Sequence, residues 1–152
     1  MYRKVLVKVG CMAAAVAVAA WWCGGCGRQS VSYADGEYTA QSSPDDRGGY
    51  GVITLTITQG RISACRYETF KKDGTLKDES YGKEPGHEGQ ENFYRKAQKA
   101  VESMKVYARK LVEVQDLDRV DAISGATISH DQFTEAAAQA LEAAAAAAGP
   151  KH

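Results

Sequence analysis

Apolar and polar positions alternate from residue 50 to residue 58, with Ile53, Leu55 and Ile57 on one side and Thr54, Thr56 and Thr58 on the other. A period of two predicts a strand buried on one face. Gln59 and Gly60 allow a tight turn, and residues 61–70 return as a second strand, so the pair reads as a hairpin. The phase of this second strand changes between Ile62 and Cys65, which predicts a bulge and turns Cys65 and Tyr67 toward the core. A shorter strand is expected over residues 37–40, followed by a loop rich in Ser, Pro, Asp and Gly over residues 41–49.

Further along, the period becomes helical. From residue 91 to about residue 112, Phe93, Ala97, Ala100, Val101, Met104, Ala108 and Leu111 recur at helical spacing and give one stripe to pack on the sheet. Arg95, Lys96, Lys99, Lys105, Arg109 and Lys110 fall largely outside it, as a solvated face does; docking to an acidic redox partner or to lipid headgroups is the alternative. A last helix is expected over residues 129–148, carrying Phe133, Ala137, Ala140 and Leu141 inward and stopped by Gly149 and Pro150. Ser129 and Gln132 have the spacing of a capping box at its start. Its alanines follow from helix propensity alone. Residues 120–123 are expected to form a short strand, and the polar, turn-rich residues 71–90 either a lid over a ligand or a solvated loop. The pattern predicts an α+β domain, a small antiparallel sheet packed against helices.

With 152 residues the chain is long enough for one domain, and 19 basic against 19 acidic residues leave no net charge to attract nucleic acid. Arg3, Lys4 and Lys8 precede an apolar run over residues 9–22, the charged and hydrophobic regions of an export signal. Lipoprotein processing needs a small residue before the modified cysteine; Gly24 and Gly25 provide it for Cys26, whereas Trp21 and Trp22 disfavour Cys23. The alternative is an uncleaved anchor over residues 9–26. The expected organisation is therefore an export and lipoprotein signal over residues 1–26, a linker over 27–34, a folded domain over 35–148 and a tail over 149–152.

Processing at Cys26 would leave Cys65 as the free thiol and no internal disulfide, so the domain must rely on its core. Cys65 reads as a buried apolar residue rather than a reactive one. His87 and His130 lack partners at ligand spacing, so no metal site and no role for either is expected.

The stretch with candidate chemistry runs Asp121-Ala122-Ile123-Ser124-Gly125-Ala126-Thr127-Ile128-Ser129 and opens into the last helix. Gly125 and Ala126 let a bulky ligand approach the backbone, while Ser124, Thr127 and Ser129 offer hydroxyls beside the positive end of a helix dipole. That arrangement suits an anion next to Thr127. An ordinary turn with an N-cap is the competing reading.

Asp121-x-x-Ser124-Gly125-Ala126-Thr127 resembles the flavinylation motif of the FMN-binding domain family, and the likeness extends over roughly residues 35–141. That family includes flavin-carrying subunits of the Nqr-type and Rnf-type membrane complexes and small extracytoplasmic lipoproteins. The resemblance implies FMN joined to the Thr127 hydroxyl through its phosphate, installed from FAD by a flavin transferase that uses a metal ion. Asp121, Ser124, Gly125, Ala126 and Ser129 complete the implied cofactor site, with Asp121 either recognised by the transferase or fixing the turn.

The function implied is electron transfer at the extracytoplasmic side of the cell membrane, from a membrane donor to a separate acceptor, with no catalytic residue of the chain's own. Two rivals remain: a non-redox envelope lipoprotein, and a reductase acting directly on a small oxidant. A covalent bond has a physical rationale, because an exposed helix terminus contributes only ~0.3–1 kcal/mol while micromolar binding needs about 8 kcal/mol.

Overall fold

The computed structural model describes residues 31–83 and 90–149. The expected signal over residues 1–26, with Cys26, lies outside the described residues, as does His87. Of the expected linker, Tyr33 packs against the core and the Ala34 amide donates to the Ala144 carbonyl at 3.0 Å, so these two residues are tied to the domain. Among the described residues no helix is long and apolar enough to cross a membrane.

Three antiparallel strands, β1 (Gly36–Gln41), β2 (Tyr50–Thr58) and β3 (Arg61–Phe70), form one sheet in the order β1-β2-β3. The alternation along β2 is realised in full: Ile53, Leu55 and Ile57 are buried while Thr54 and Thr56 face outward. On the outer face the hydroxyls of Thr39 and Thr54 share a hydrogen bond across β1 and β2 at 3.2 Å. Gln59 and Gly60 both adopt positive φ, 54° and 69°, the conformation of a type I′ hairpin turn.

The bulge falls in β3 where the phase change predicted it. Thr56 pairs with Ala64 and Ile57 with Ile62, leaving Ser63 as the extra residue. Beyond the bulge, the Gln115 side chain accepts from the Ile62 amide at 2.9 Å and donates to its carbonyl at 2.8 Å. A side-chain amide thus takes the place of a neighbouring strand for this residue.

Two long helices, α1 (Glu91–Val114) and α2 (Thr127–Ala148), cover one face of the sheet, α1 against β3 and α2 against β2 and β1. Ala97, Val101, Met104, Ala108 and Leu111 of the predicted stripe are buried, together with Tyr107, which the stripe left out. From α2, Phe133, Ala136, Ala137, Ala140 and Ala144 point inward. Alanine here has a packing role besides propensity, since small side chains let the helix lie close to the sheet. Phe133, fully buried, stacks on Tyr107 with centroids 5.5 Å apart and meets Tyr67 edge-on at 5.1 Å.

Two expectations fail at the approach to α2. Residues 120–123 form no strand; a 3-10 turn, Leu117–Arg119, precedes them and the chain runs on irregularly. The helix also begins at Thr127 rather than at Ser129, with Ala126 in the N-cap position and no side-chain cap. The capping box is absent because both of its members have other tasks: Ser129 is buried in the first turn, and Gln132 donates its side-chain amide to the Gly49 carbonyl at 2.7 Å.

Candidate functional site

The start of α2 is held from below by two buried phenols. Tyr107, on α1, accepts from the Ile123 amide at 2.9 Å and donates to the Ala126 carbonyl at 3.3 Å. Tyr67, on β3, donates to the Ser129 carbonyl at 2.9 Å. Burial, and then the nearby Tyr107, pushes the Tyr67 phenol up, so it remains a neutral donor across the physiological range. His130 adds a third tie, its Nε2 lying 2.7 Å from the Val120 carbonyl. Because a carbonyl only accepts, Nε2 is the donor in that contact. His130 is therefore structural: it stitches the preceding segment to α2 while its ring packs edge-on against Tyr107 at 5.4 Å.

Above this floor lies a groove of about 1390 Å³. Gly125, Ala126, Thr127, Ile128 and Ser129 line one end of it. One wall is the loop between β1 and β2. Asp45 caps that loop, accepting from the Arg47 amide at 2.9 Å and the Gly49 amide at 2.8 Å. Glu135 fastens the loop to α2 by accepting from the Ser43 amide at 3.0 Å and the Ser43 hydroxyl at 2.6 Å. The opposite wall comes from Lys71, Lys77 and Tyr81 after β3 and from Phe93, Ala97 and Ala100 of α1. The turn-rich segment, over its described part, is thus a groove wall rather than a detached solvated loop.

Most motif residues meet at the groove. Ala126 is buried, Thr127 is exposed as the first residue of α2, and Ser129 lines the groove from the buried side of the first turn. Gly125 has φ +83°, a conformation in which an L side chain is strained. A methyl group placed on it would lie 3.6 Å from Lys99 Nζ, so the lysine of α1 extends beside the glycine. Asp121 and Ser124 are exposed and lie apart from the groove lining. Among the described residues Asp121 has no hydrogen bond or ion pair, so the turn is fixed by Tyr107 and not by this carboxylate.

What the arrangement can do follows from the open end of α2. With no side-chain cap and no acidic residue in the first turn, its first amides and the helix dipole are available to an anion beside Thr127. The groove next to it is lined in part by Tyr81 and Phe93, apolar surface suited to a flat ring system. A phosphate joined to an aromatic ring system fits these two ends. The described residues contain no cluster of His, Cys, Asp or Glu that could hold a metal ion.

Sequence reasoning missed Tyr107, Tyr67's hydroxyl role and the Asp45 loop. Tyr107 carried a readable signal, since it falls three residues after Met104 and four before Leu111 on the apolar face. A phenol in a core position needs a partner for its hydroxyl. A second cleft of about 750 Å³ lies between β3 and α1, lined by Cys65, Met104 and Ala108, with none of the motif residues in it. Burial pushes the Cys65 thiol up to about 12, which fits the apolar reading of this residue.

Comparison with known proteins shows the family and the fold. The FMN-binding domain profile matches residues 48–142, which contain β2, β3, α1, the motif and α2 as far as residue 142. No curated protein matches the chain. Among solved structures, the chain is similar to the crystal structure of the CPE2226 protein from Clostridium perfringens, with a TM-score of 0.61 and 24% identity, over 76% of this chain and 91% of that one. At that identity the likeness concerns the fold.

Proposed function

The chain belongs to the FMN-binding domain family, and from that membership we propose that it is an extracytoplasmic electron carrier whose FMN is joined covalently to Thr127. Membership supports FMN as the cofactor. The observation that carries the attachment is the position of Thr127, exposed at the uncapped start of α2 and lining the end of the groove. A hydroxyl there is accessible to a modifying enzyme, and a phosphate on it meets the first-turn amides.

When bound, FMN supplies reversible electron uptake, chemistry that none of the side chains provides. The chain's own contribution is orientation and charge. The α2 amides, Gly125 and Lys99 would receive the phosphate, with Ser129 beside them. Tyr81 and Phe93 would flank the ring system and exclude water from part of it. Tyr107 and Tyr67 keep the Thr127 backbone fixed while the rest of the groove is loaded.

The location rests on the sequence: Arg3, Lys4 and Lys8 before the apolar run, and Cys26 as the lipid-bearing residue. In this reading a flavin transferase installs the cofactor from FAD, a membrane donor reduces it, and a separate acceptor takes the electrons. A tether raises the effective concentration of the carrier near a membrane-bound donor. Intact-mass measurement of protein extracted from native membranes tests both modifications together. The expected species begins at a lipidated Cys26 and carries one FMN; a mature flavin-free protein from cells with a working transferase overturns the carrier reading in favour of a non-redox envelope lipoprotein.

A further inference from the structure

Lys77 occupies an unusual place in the groove wall. Its side chain is only 14% exposed, and its Nζ lies 3.8 Å from Asp45 Oδ2 and 5.5 Å from the centroid of the Tyr81 ring. The ammonium reaches that place because Gly49 has no side chain: a Cβ there would sit 2.7 Å from Nζ. Burial lowers the affinity of Lys77 for its proton, an effect that Asp45 partly offsets.

Asp45 is shared between Lys77 and the loop that it caps. Its Oδ1 already accepts from the Arg47 and Gly49 amides, and at 3.8 Å its contact with Lys77 is longer than a hydrogen bond. The ammonium lies over the Tyr81 ring, at the aromatic part of the groove. Arg47, Lys72 and Lys96 also line the groove but are exposed, and Lys71 lines it half-buried. Charges in water act about fourfold more weakly than charges near a protein surface at the same distance. Lys77, whose Nζ lies 5.5 Å from the Tyr81 centroid, is thus a largely buried groove cation positioned to act on a ring seated near Tyr81.

Resting on the reading that FMN occupies this groove, we infer that Lys77 is a positioning residue for charge, favouring the anionic reduced flavin and raising the reduction potential. Uptake of two electrons and one proton by the oxidised ring leaves one negative charge on it; uptake of two electrons and two protons leaves none. The electrons come from a redox partner protein, or from dithionite in a titration. The Lys77 ammonium favours the first outcome and gives up no proton of its own.

The test uses the flavinylated full-length protein, with covalent flavin confirmed by mass for each variant. Lys77→Met should lower the ratio of reduced to oxidised flavin at a fixed ambient potential by tenfold or more, which for a two-electron couple is about 30 mV. The reduced form should also change its near-ultraviolet absorbance toward that of the neutral species. Lys77→Arg should retain the wild-type ratio and spectrum. Asp45→Asn, which keeps an oxygen for its two amides but loses the counter-charge, should raise the ratio.

Lys105→Met, at a residue that lines the other cleft and not this groove, controls for net charge. A Lys77→Met ratio within twofold of wild type, an equal shift in Lys105→Met, or a fall in Asp45→Asn overturns the inference. Wild-type protein without flavin would instead overturn the reading on which it rests.

Discussion

The Tyr107 hydroxyl donates to the Ala126 carbonyl at 3.3 Å, one residue before Thr127 in the chain. The same oxygen accepts from the Ile123 amide at 2.9 Å, so one phenol from α1 closes the turn that presents the motif threonine.

Tyr107→Phe should therefore loosen the motif without unfolding the domain. It leaves the partly buried Ile123 amide unpaired, at a cost of about 1–2 kcal/mol. Denaturant unfolding should show that loss, and a time course with the transferase should show slower flavin attachment. Attachment at the wild-type rate would remove Tyr107 from the positioning of Thr127.

Thr127→Ala should fold normally and carry no covalent flavin. Thr127 is exposed at the first position of α2, where removing its hydroxyl creates no cavity and no buried unpaired group. Flavin fluorescence of the denatured protein band is the readout; fluorescence persisting in the variant places the attachment elsewhere. Thr127→Ser keeps a hydroxyl but loses the β-branch that restricts its rotamer, so slower modification is expected.

Asp121→Asn separates recognition from folding. Asp121 is exposed and has no polar partner among the described residues, so stability should change by less than about 0.5 kcal/mol. If the carboxylate serves the transferase, attachment should fall sharply while the melting temperature stays constant. Normal attachment would remove Asp121 from the modification reaction.

Cys65 should resist alkylation in the folded protein. Burial moves its thiol from the ordinary 9.0 up to about 12, which lowers the thiolate fraction near pH 8 about a thousandfold. The folded state favours the protonated thiol, so this contribution to stability is complete below pH 9.0 and is lost as pH rises toward about 12. Iodoacetamide labelling at pH 8 before and after unfolding checks the first point, and denaturant titration across that alkaline window checks the second.

Local pattern was enough for the hairpin and the two helices. The period of two over β2, the Gln59-Gly60 turn and the phase change at the bulge each depend on neighbouring residues, and the structure reproduces all three. The motif was also legible as a string of small and hydroxyl residues ahead of a helix. What the string could not show was where that helix begins. Ser129 and Gln132 have capping-box spacing, but a capping box competes with long-range partners. The Ser129 carbonyl is taken by Tyr67 and the Gln132 amide by Gly49, both far away in sequence.

The same reason explains the groove. Its walls join the loop after β1, the segment after β3, and α1 to the start of α2, and the Asp45–Lys77 contact exists only once the sheet and helices are assembled. The sequence by itself determined the elements, their apolar faces and the candidate threonine, because propensity, periodicity and turn chemistry act over a few residues. Only the tertiary structure decided that two tyrosines bond the carbonyls of Ala126 and Ser129 on either side of that threonine and that a largely buried lysine lines the same groove, because burial and hydrogen-bond partnership are properties of distant residues brought into contact.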